Sequence, residues 1–292
     1  MVAVALPRAR AADLLELTKP RIVGLVVATA AAGFYLAAPG GVDVVLFLNA
    51  MLGTTLVAAG TNALNQVSES DVDALMRRTA RRPIPTGRVG VRSAAWFAWL
   101  LGATGILWLT ALVNPTTGIL AAATLFSYVF LYTPLKRRTT LATLVGGIPG
   151  ALPIVGGWTA AGGTLGLQAW VLFWILFLWQ LPHFLALAWI YREDYARAGL
   201  RMLSVDDDGG ARTFQQAVLY AVALLPVSLA PTLVGMTGPA YFLGAVALSS
   251  WLIWAGVAAV RQRGTREAKR LFVTSVWYLP ALLGLMVMDK VG

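Results

Sequence analysis

The run Asn65-Gln66-Val67-Ser68-Glu69-Ser70-Asp71-Val72-Asp73 sets an amide and two carboxylates at i, i+4 and i+8. That spacing aligns Asn65, Glu69 and Asp73 on one face of a helix. Over roughly 12 Å they present hard oxygen ligands, the kind Mg2+ accepts when it keeps several waters and shares the phosphates of a substrate. A solvated acidic helix end has the same pattern, so the spacing alone is a weak signal. Its position at the end of an apolar span, in a chain with few charges, strengthens it.

The same segment continues Met76-Arg77-Arg78-Thr79-Ala80-Arg81-Arg82-Pro83. Guanidinium forks pair bidentately with phosphate oxygens, so acids and arginines side by side could hold Mg2+ and a diphosphate together. Tyr132-Thr133-Pro134-Leu135-Lys136-Arg137-Arg138 brings three more cations to the same side. A second polar stretch begins Tyr191-Arg192-Glu193-Asp194-Tyr195. Glu193 and Asp194 are candidates for a second metal site facing the first, although adjacent acids point in different directions on a helix. Asp206-Asp207-Asp208-Gly209-Gly210 reads as a solvated turn without chemistry. His183, the single histidine, lies in Trp179-Gln180-Leu181-Pro182-His183-Phe184. Pro182 is expected to kink the helix, and the imidazole could be a satisfied interior group, a general base or an axial iron ligand.

The elements that position these residues are apolar helices. The chain has 292 residues, 58% hydrophobic and 12% charged, about half the charge of a soluble domain. A bilayer solvates such surface, and a span needs about 20 apolar residues. About nine such spans are expected, near 22–38, 44–64, 93–113, 116–132, 144–161, 168–190, 214–234, 239–260 and 271–288. Each must be helical, because lipid leaves no partner for a free backbone amide. The chain then reads as one polytopic domain over 1–292: an amphipathic N-terminal segment 1–21, and two long polar loops, 65–92 and 191–212, on one face. Span 5 carries Gly146-Gly147, Gly150 and Gly156-Gly157 and should pack closely. Thr18-Lys19-Pro20 is expected to cap and start the first span. Lys290 alone among the 23 basic residues falls on the opposite side, which makes the basic face cytoplasmic by the positive-inside rule and leaves the C-terminus outside. The net charge of +10 is therefore topological, and no nucleic-acid partner is expected. Cysteine is absent, which removes disulfides and thiolate chemistry. Charges interrupt the N-terminal apolar runs, so no secretory signal is expected there. Nor does the N-terminus read as an organelle presequence, and the expected location is a bacterial plasma membrane.

Several segments together resemble one family. They are Leu17-Thr18-Lys19-Pro20-Arg21, the Asn65–Asp73 run with Met76-x-Arg78-Thr79-x-x-Arg82-Pro83, Tyr132-Thr133-x-Leu135-Lys136-Arg137, Gly146-Gly147-x-x-Gly150-Ala151-x-Pro153, Trp179-Gln180-x-Pro182-His183-Phe184 and Asp194-Tyr195-x-x-Ala198-Gly199. The chain resembles the protohaem IX farnesyltransferases (haem O synthases), a branch of the UbiA-type intramembrane prenyltransferases. The resemblance implies an all-α membrane bundle of nine helices around a cavity under polar caps. It implies farnesyl transfer from farnesyl diphosphate to a vinyl group of haem b, with Mg2+ held by Asn65, Glu69 and Asp73. It also implies substrate contacts from Arg78, Arg82, Lys136, Arg137, Tyr132, His183 and Tyr195, and a role for Asp194. A downstream haem A synthase or oxidase assembly protein is the partner it suggests. In the second acidic motif, Ala198 stands where a further acid is expected. Rival readings are prenyl transfer to an aromatic quinone precursor, argued against by the haem-branch motifs, and a transporter, whose acids should lie deeper in the bilayer.

Overall fold

The computed structural model describes residues 10–38 and 40–291; Arg8 and the rest of the first nine residues lie outside them. Helices in chain order are α1 Ala11–Thr18, α2 Pro20–Ala37, α3 Val44–Ser68, α4 Ser70–Leu75, α5 Val91–Leu112, α6 Pro115–Phe126, a π-helical stretch Ser127–Tyr132 running into α7 Thr133–Leu135, α8 Ala142–Ala160, α9 Leu167–Ile190, α10 Arg192–Arg197, α11 Ala211–Leu233, α12 Pro239–Gln262 and α13 Thr265–Met288. Eight segments of the described residues are long and apolar enough to cross a membrane, Pro115–Leu135 counting as one of them. The ninth long helix is α8. It carries five glycines and Pro149 and Pro153, and its neighbours bury much of it.

Local chemistry starts these helices where the sequence allows. Asp43 accepts the amide of Leu46 at the start of α3 (3.0 Å), and Asn114 accepts that of Thr117 ahead of Pro115 in α6 (2.8 Å), the usual uses of an Asx cap and a first-turn proline. The first span begins at Pro20 as expected, but Thr18 does not cap it. Thr18 closes α1, its hydroxyl donating to the Leu15 carbonyl at 2.8 Å. Lys19 stands between α1 and α2 in the left-handed region, at φ 53° and ψ 67°, an uncommon conformation for a residue with a Cβ.

The rods pack as two groups that share α8. On one side α3 lies against α5, with α6 covering both α5 and α8; on the other α9 contacts α8, α11 and α13, and α12 sits between α11 and α13. The α3–α5 contact is backbone-close: a Cβ on Gly60 would stand 2.6 Å from the Gly102 amide nitrogen. Small residues let membrane helices approach this far, and dispersion then holds them. The bundle closes where the Lys290 ammonium donates to the carbonyls of Tyr35 (2.8 Å) and Ala38 (2.6 Å), which sets the C-terminal end of α13 beside that of α2. The amphipathic α1 lies across the opposite end. Leu17 is fully buried, Gln66 donates to its carbonyl at 2.7 Å, and Arg88 holds Asp13 and Glu16.

Candidate functional site

The acidic run is helical but broken. α3 ends at Ser68 and Glu69 sits at the break with φ −110° and ψ 11°. The 1→5 bonds survive it: Glu69 N–H donates to Asn65 O (3.0 Å) and Asp73 N–H to Glu69 O (2.8 Å). Asn65, Glu69 and Asp73 therefore keep their common face and together line a cavity of about 160 Å3 at the cation-rich end of the bundle. All three are buried.

Cations ring these acids. Lys136 Nζ lies 2.7 Å from Glu69 Oε1, and Arg82 Nη1 lies 2.6 Å from Asp73 Oδ2. Asn65 Nδ2 donates to Glu69 Oε2 (2.9 Å), leaving its amide oxygen toward Lys19 Nζ at 3.4 Å. Asp73 Oδ1 is buried with no partner. Arg78 also lines the cavity, its guanidinium 5.0 Å from the Tyr191 ring centre. Burial works most strongly against the Lys136 ammonium, yet Glu69 and its other neighbours together hold the group above the ordinary lysine range. For Lys19 the balance falls the other way: burial first, then Arg82 and Lys136, outweigh the pull of Glu69 and Asp73 and push it down to about 7.

The π-helical stretch arranges the aromatic wall. Its extra residue per turn brings Tyr128 and Tyr132 both to the cavity, with ring centres 5.0 Å apart and edge to face. Lys136 Nζ sits 4.4 Å from the Tyr132 ring centre. Such turns often occur at functional sites. Glycine makes room for it: a Cβ on Gly146 would stand 2.5 Å from the Tyr132 ring.

The second polar loop contributes less directly. Tyr195 lines the cavity but Glu193 is exposed on α10. The buried Asp194 carboxylate accepts the amides of Arg77 and Arg78 at 3.3 Å each and Arg197 Nη1 at 2.8 Å. Burial opposes its charge, but the two amides and Arg197 together keep the carboxyl below its ordinary range. Arg137 pairs with both oxygens of the exposed Asp71 (2.8 and 2.6 Å), outside the cavity lining. Asp207, expected in a solvated turn, is instead buried and accepts the amide and hydroxyl of Thr213 at the start of α11 (2.7 and 2.8 Å). α9 runs through Pro182 without interruption. His183 Nδ1 is 2.9 Å from Ser275 Oγ, and its ring packs between Trp179 and Phe272 at 5.4 and 4.7 Å. Sequence reasoning did not single out Tyr128 or give Lys19 a role. The i, i+4 spacing of Tyr128 and Tyr132 was the available signal for the first.

A larger cavity of about 320 Å3 opens at the far end beside Tyr35 and Lys290. Its lining carries no carboxylate, and its lysine is engaged by carbonyls. The smaller cavity has the chemistry.

Residues 26–279 match the UbiA prenyltransferase family. A Protoheme IX farnesyltransferase of Solibacter usitatus is 45% identical over 289 residues, covering 96% of this chain and 99% of the relative. The enzyme of the same name from Salinibacter ruber is 45% identical, covering 95% and 98%. The chain belongs to the protohaem IX farnesyltransferase branch of the UbiA prenyltransferase family. The UbiA fold extends to solved structures. A digeranylgeranylglyceryl phosphate synthase superposes with a TM-score of 0.80 at 16% identity, over 95% of this chain and 97% of that one. A UbiA homolog from Archaeoglobus fulgidus bound to GPP and Mg2+ superposes with 0.66 at 15% identity, over 94% and 99%. The donor set of this UbiA cavity fits the same ion. Two carboxylates and an amide oxygen are hard ligands, and the unpartnered Asp73 Oδ1 is a buried acceptor that lacks a donor. Among the described residues no group of three or more His, Asp or Glu side chains could hold a metal by itself.

Proposed function

We propose that this chain transfers the farnesyl group of farnesyl diphosphate to a vinyl group of haem b, forming haem O. The observation that carries this reading is the unpartnered Asp73 oxygen among Lys19, Arg78, Arg82 and Lys136 in one cavity. Acids among cations suit a metal–diphosphate, and the family relatives supply the acceptor.

Asn65 Oδ1, Glu69 and Asp73 would hold Mg2+, which when bound neutralises the diphosphate and makes it a better leaving group. Lys136 and Arg82 then turn from the carboxylates to the phosphate oxygens, and Arg78 and Lys19 close on them. Once on the phosphate these groups stabilise the charge that grows as the allylic C–O bond breaks, its electron pair leaving with diphosphate. Asp194 acts at one remove, fixing the backbone from which Arg78 projects. Glu193 takes no part. The faces of Tyr128, Tyr132 and Tyr195 stabilise the farnesyl cation and exclude water from it. The terminal vinyl carbon of the haem attacks that cation, forming the new C–C bond. Positive charge moves to the carbon beside the macrocycle, where water adds and releases one proton to give the hydroxyl.

The aromatic contacts of His183 with Trp179 on α9 and Phe272 on α13 support a haem-facing role for it. Ser275 Oγ donates to the Phe272 carbonyl at 2.6 Å, so it accepts from His183 Nδ1–H, and the Nε2 lone pair is left free for iron. The basic face is cytoplasmic, as the positive-inside rule requires, with the N-terminus inside, the C-terminus outside and the plasma membrane as location.

An acceptor panel tests the reading. Purified protein with farnesyl diphosphate and Mg2+ is offered haem b or an aromatic quinone precursor, and products are identified by mass spectrometry. Haem O from the first and no prenylated quinone from the second is expected; the reverse would refute the acceptor.

A further inference from the structure

The turn between α12 and α13 is basic without belonging to the cavity. Arg261, Arg263, Arg266, Lys269 and Arg270 fall within ten residues, all exposed. None lines the cavity of the acidic run. The other loops with several cations on this face each engage a carboxylate: Asp73 for Arg82, Glu69 for Lys136 and Asp194 for Arg197. No ion pair involves these five among the described residues. Glu267 is the single acid of the segment, and its carboxylate folds back over Gly264, at the start of its own helix.

Two of these charges are held by contacts, Arg263 through its Nε donating to the Val260 carbonyl at 3.2 Å and Arg270 through a neighbouring ring. Arg263 is in the left-handed region at φ 50°, so α12 and α13 meet through a tight turn, with Arg261 on the last turn of α12 and Arg266, Lys269 and Arg270 on the first two turns of α13. Arg270 lies over Trp254, its guanidinium carbon 4.1 Å from the ring centre. Trp254 is 51% exposed on the bilayer-facing side of α12, with Trp251 beside it at 40%. Tryptophans at this level sit among headgroups. A cation stacked on such a ring is therefore fixed at the height of the lipid phosphates.

We propose that the α12–α13 turn is a binding site for the headgroup of an anionic phospholipid. Clusters of four to eight basic residues beside a membrane helix attract anionic headgroups within about a Debye length. Here the charges are unneutralised by the protein, and an apolar ring next to them accepts the upper acyl chain. The partner lies in the leaflet that the orientation proposed above makes cytoplasmic. The site serves to hold a lipid, independent of prenyl transfer.

The full chain is reconstituted in nanodiscs containing phosphatidylcholine and phosphatidylglycerol, extracted gently, and its retained lipids are counted by native mass spectrometry. Wild type should retain phosphatidylglycerol in preference to phosphatidylcholine. Arg266→Gln/Lys269→Gln/Arg270→Gln should lower that preference about tenfold, with an unchanged melting temperature as the folding control. Trp254→Leu, which keeps all five charges, should lower it less. An excess of inorganic phosphate should not displace the lipid; displacement would make this a free-anion site and overturn the proposal. Equal preference in wild type and the triple variant would also overturn it.

Discussion

Asp73 gives one carboxylate oxygen to Arg82 at 2.6 Å and keeps the other buried without a partner. A buried carboxylate with half its acceptors unused is costly unless a ligand completes it. Asp73→Ala should therefore abolish turnover and destabilise the protein, because Arg82 loses its counter-ion. The stability cost is roughly 3 kcal/mol for a pair this well covered. Thermal unfolding in detergent checks it: the Asp73→Ala/Arg82→Met double variant should recover much of the melting temperature but none of the activity.

Lys19 has a pKa pushed down to about 7 by burial and by Arg82 and Lys136. A lysine depressed in the folded state costs stability below that value, and the cost is relieved as pH rises from about 7 toward the unfolded lysine value near 10.5. Lys19→Met should raise the melting temperature most below pH 7, with the gain shrinking toward pH 10. Melting curves across that range give the test; a gain that does not vary with pH would refute it.

Gly146 lets the Tyr132 ring sit beneath Lys136. Gly146→Leu should displace that ring and lower kcat/KM for prenyl transfer by about tenfold or more, since small misplacements of a positioning group are expensive. The far-ultraviolet circular dichroism should remain helical. Gly24→Ala, where a Cβ meets nothing within 4 Å, serves as the control and should be near wild type.

How far the sequence reached can be judged from these residues. Asn65, Glu69 and Asp73 were legible because i, i+4 spacing survives a small helix break, and the spans because lipid forces helices on apolar runs. The π-helical stretch was not legible. One extra residue in a turn leaves the apolar composition of the span unchanged, whereas the i, i+4 spacing of Tyr128 with Tyr132 was there to be read. The left-handed Lys19 was hidden for a related reason: its conformation is held by burial of Leu17 and by Asn65, contacts made across 46 residues. The family resemblance likewise implies a substrate contact for Arg137, and the Asp206–Gly210 run reads as a solvated turn. The fold pairs Arg137 with Asp71 and spends Asp207 on the start of α11, choices that depend on tertiary neighbours.

Asp194 fixes the amides of Arg77 and Arg78 rather than facing the other acids. Asp194→Ala should free that backbone and raise KM for farnesyl diphosphate by about tenfold, with a smaller effect on kcat. Steady-state kinetics at saturating Mg2+ separate the two. An equal loss of kcat and no change in KM would mean that the carboxylate acts on the reacting groups themselves.

The central claim is that Asn65, Glu69 and Asp73 hold the metal that activates a prenyl diphosphate. The most direct measurement is haem O formation from haem b and farnesyl diphosphate, followed by chromatography and mass spectrometry. It would compare wild type with Glu69→Gln and Asp73→Asn, with and without a chelator. Haem O should form with wild type and Mg2+, disappear with chelator, and fall at least a hundredfold in both variants. Haem O formed equally well by well-folded variants, or with all divalent metal removed, would contradict the account.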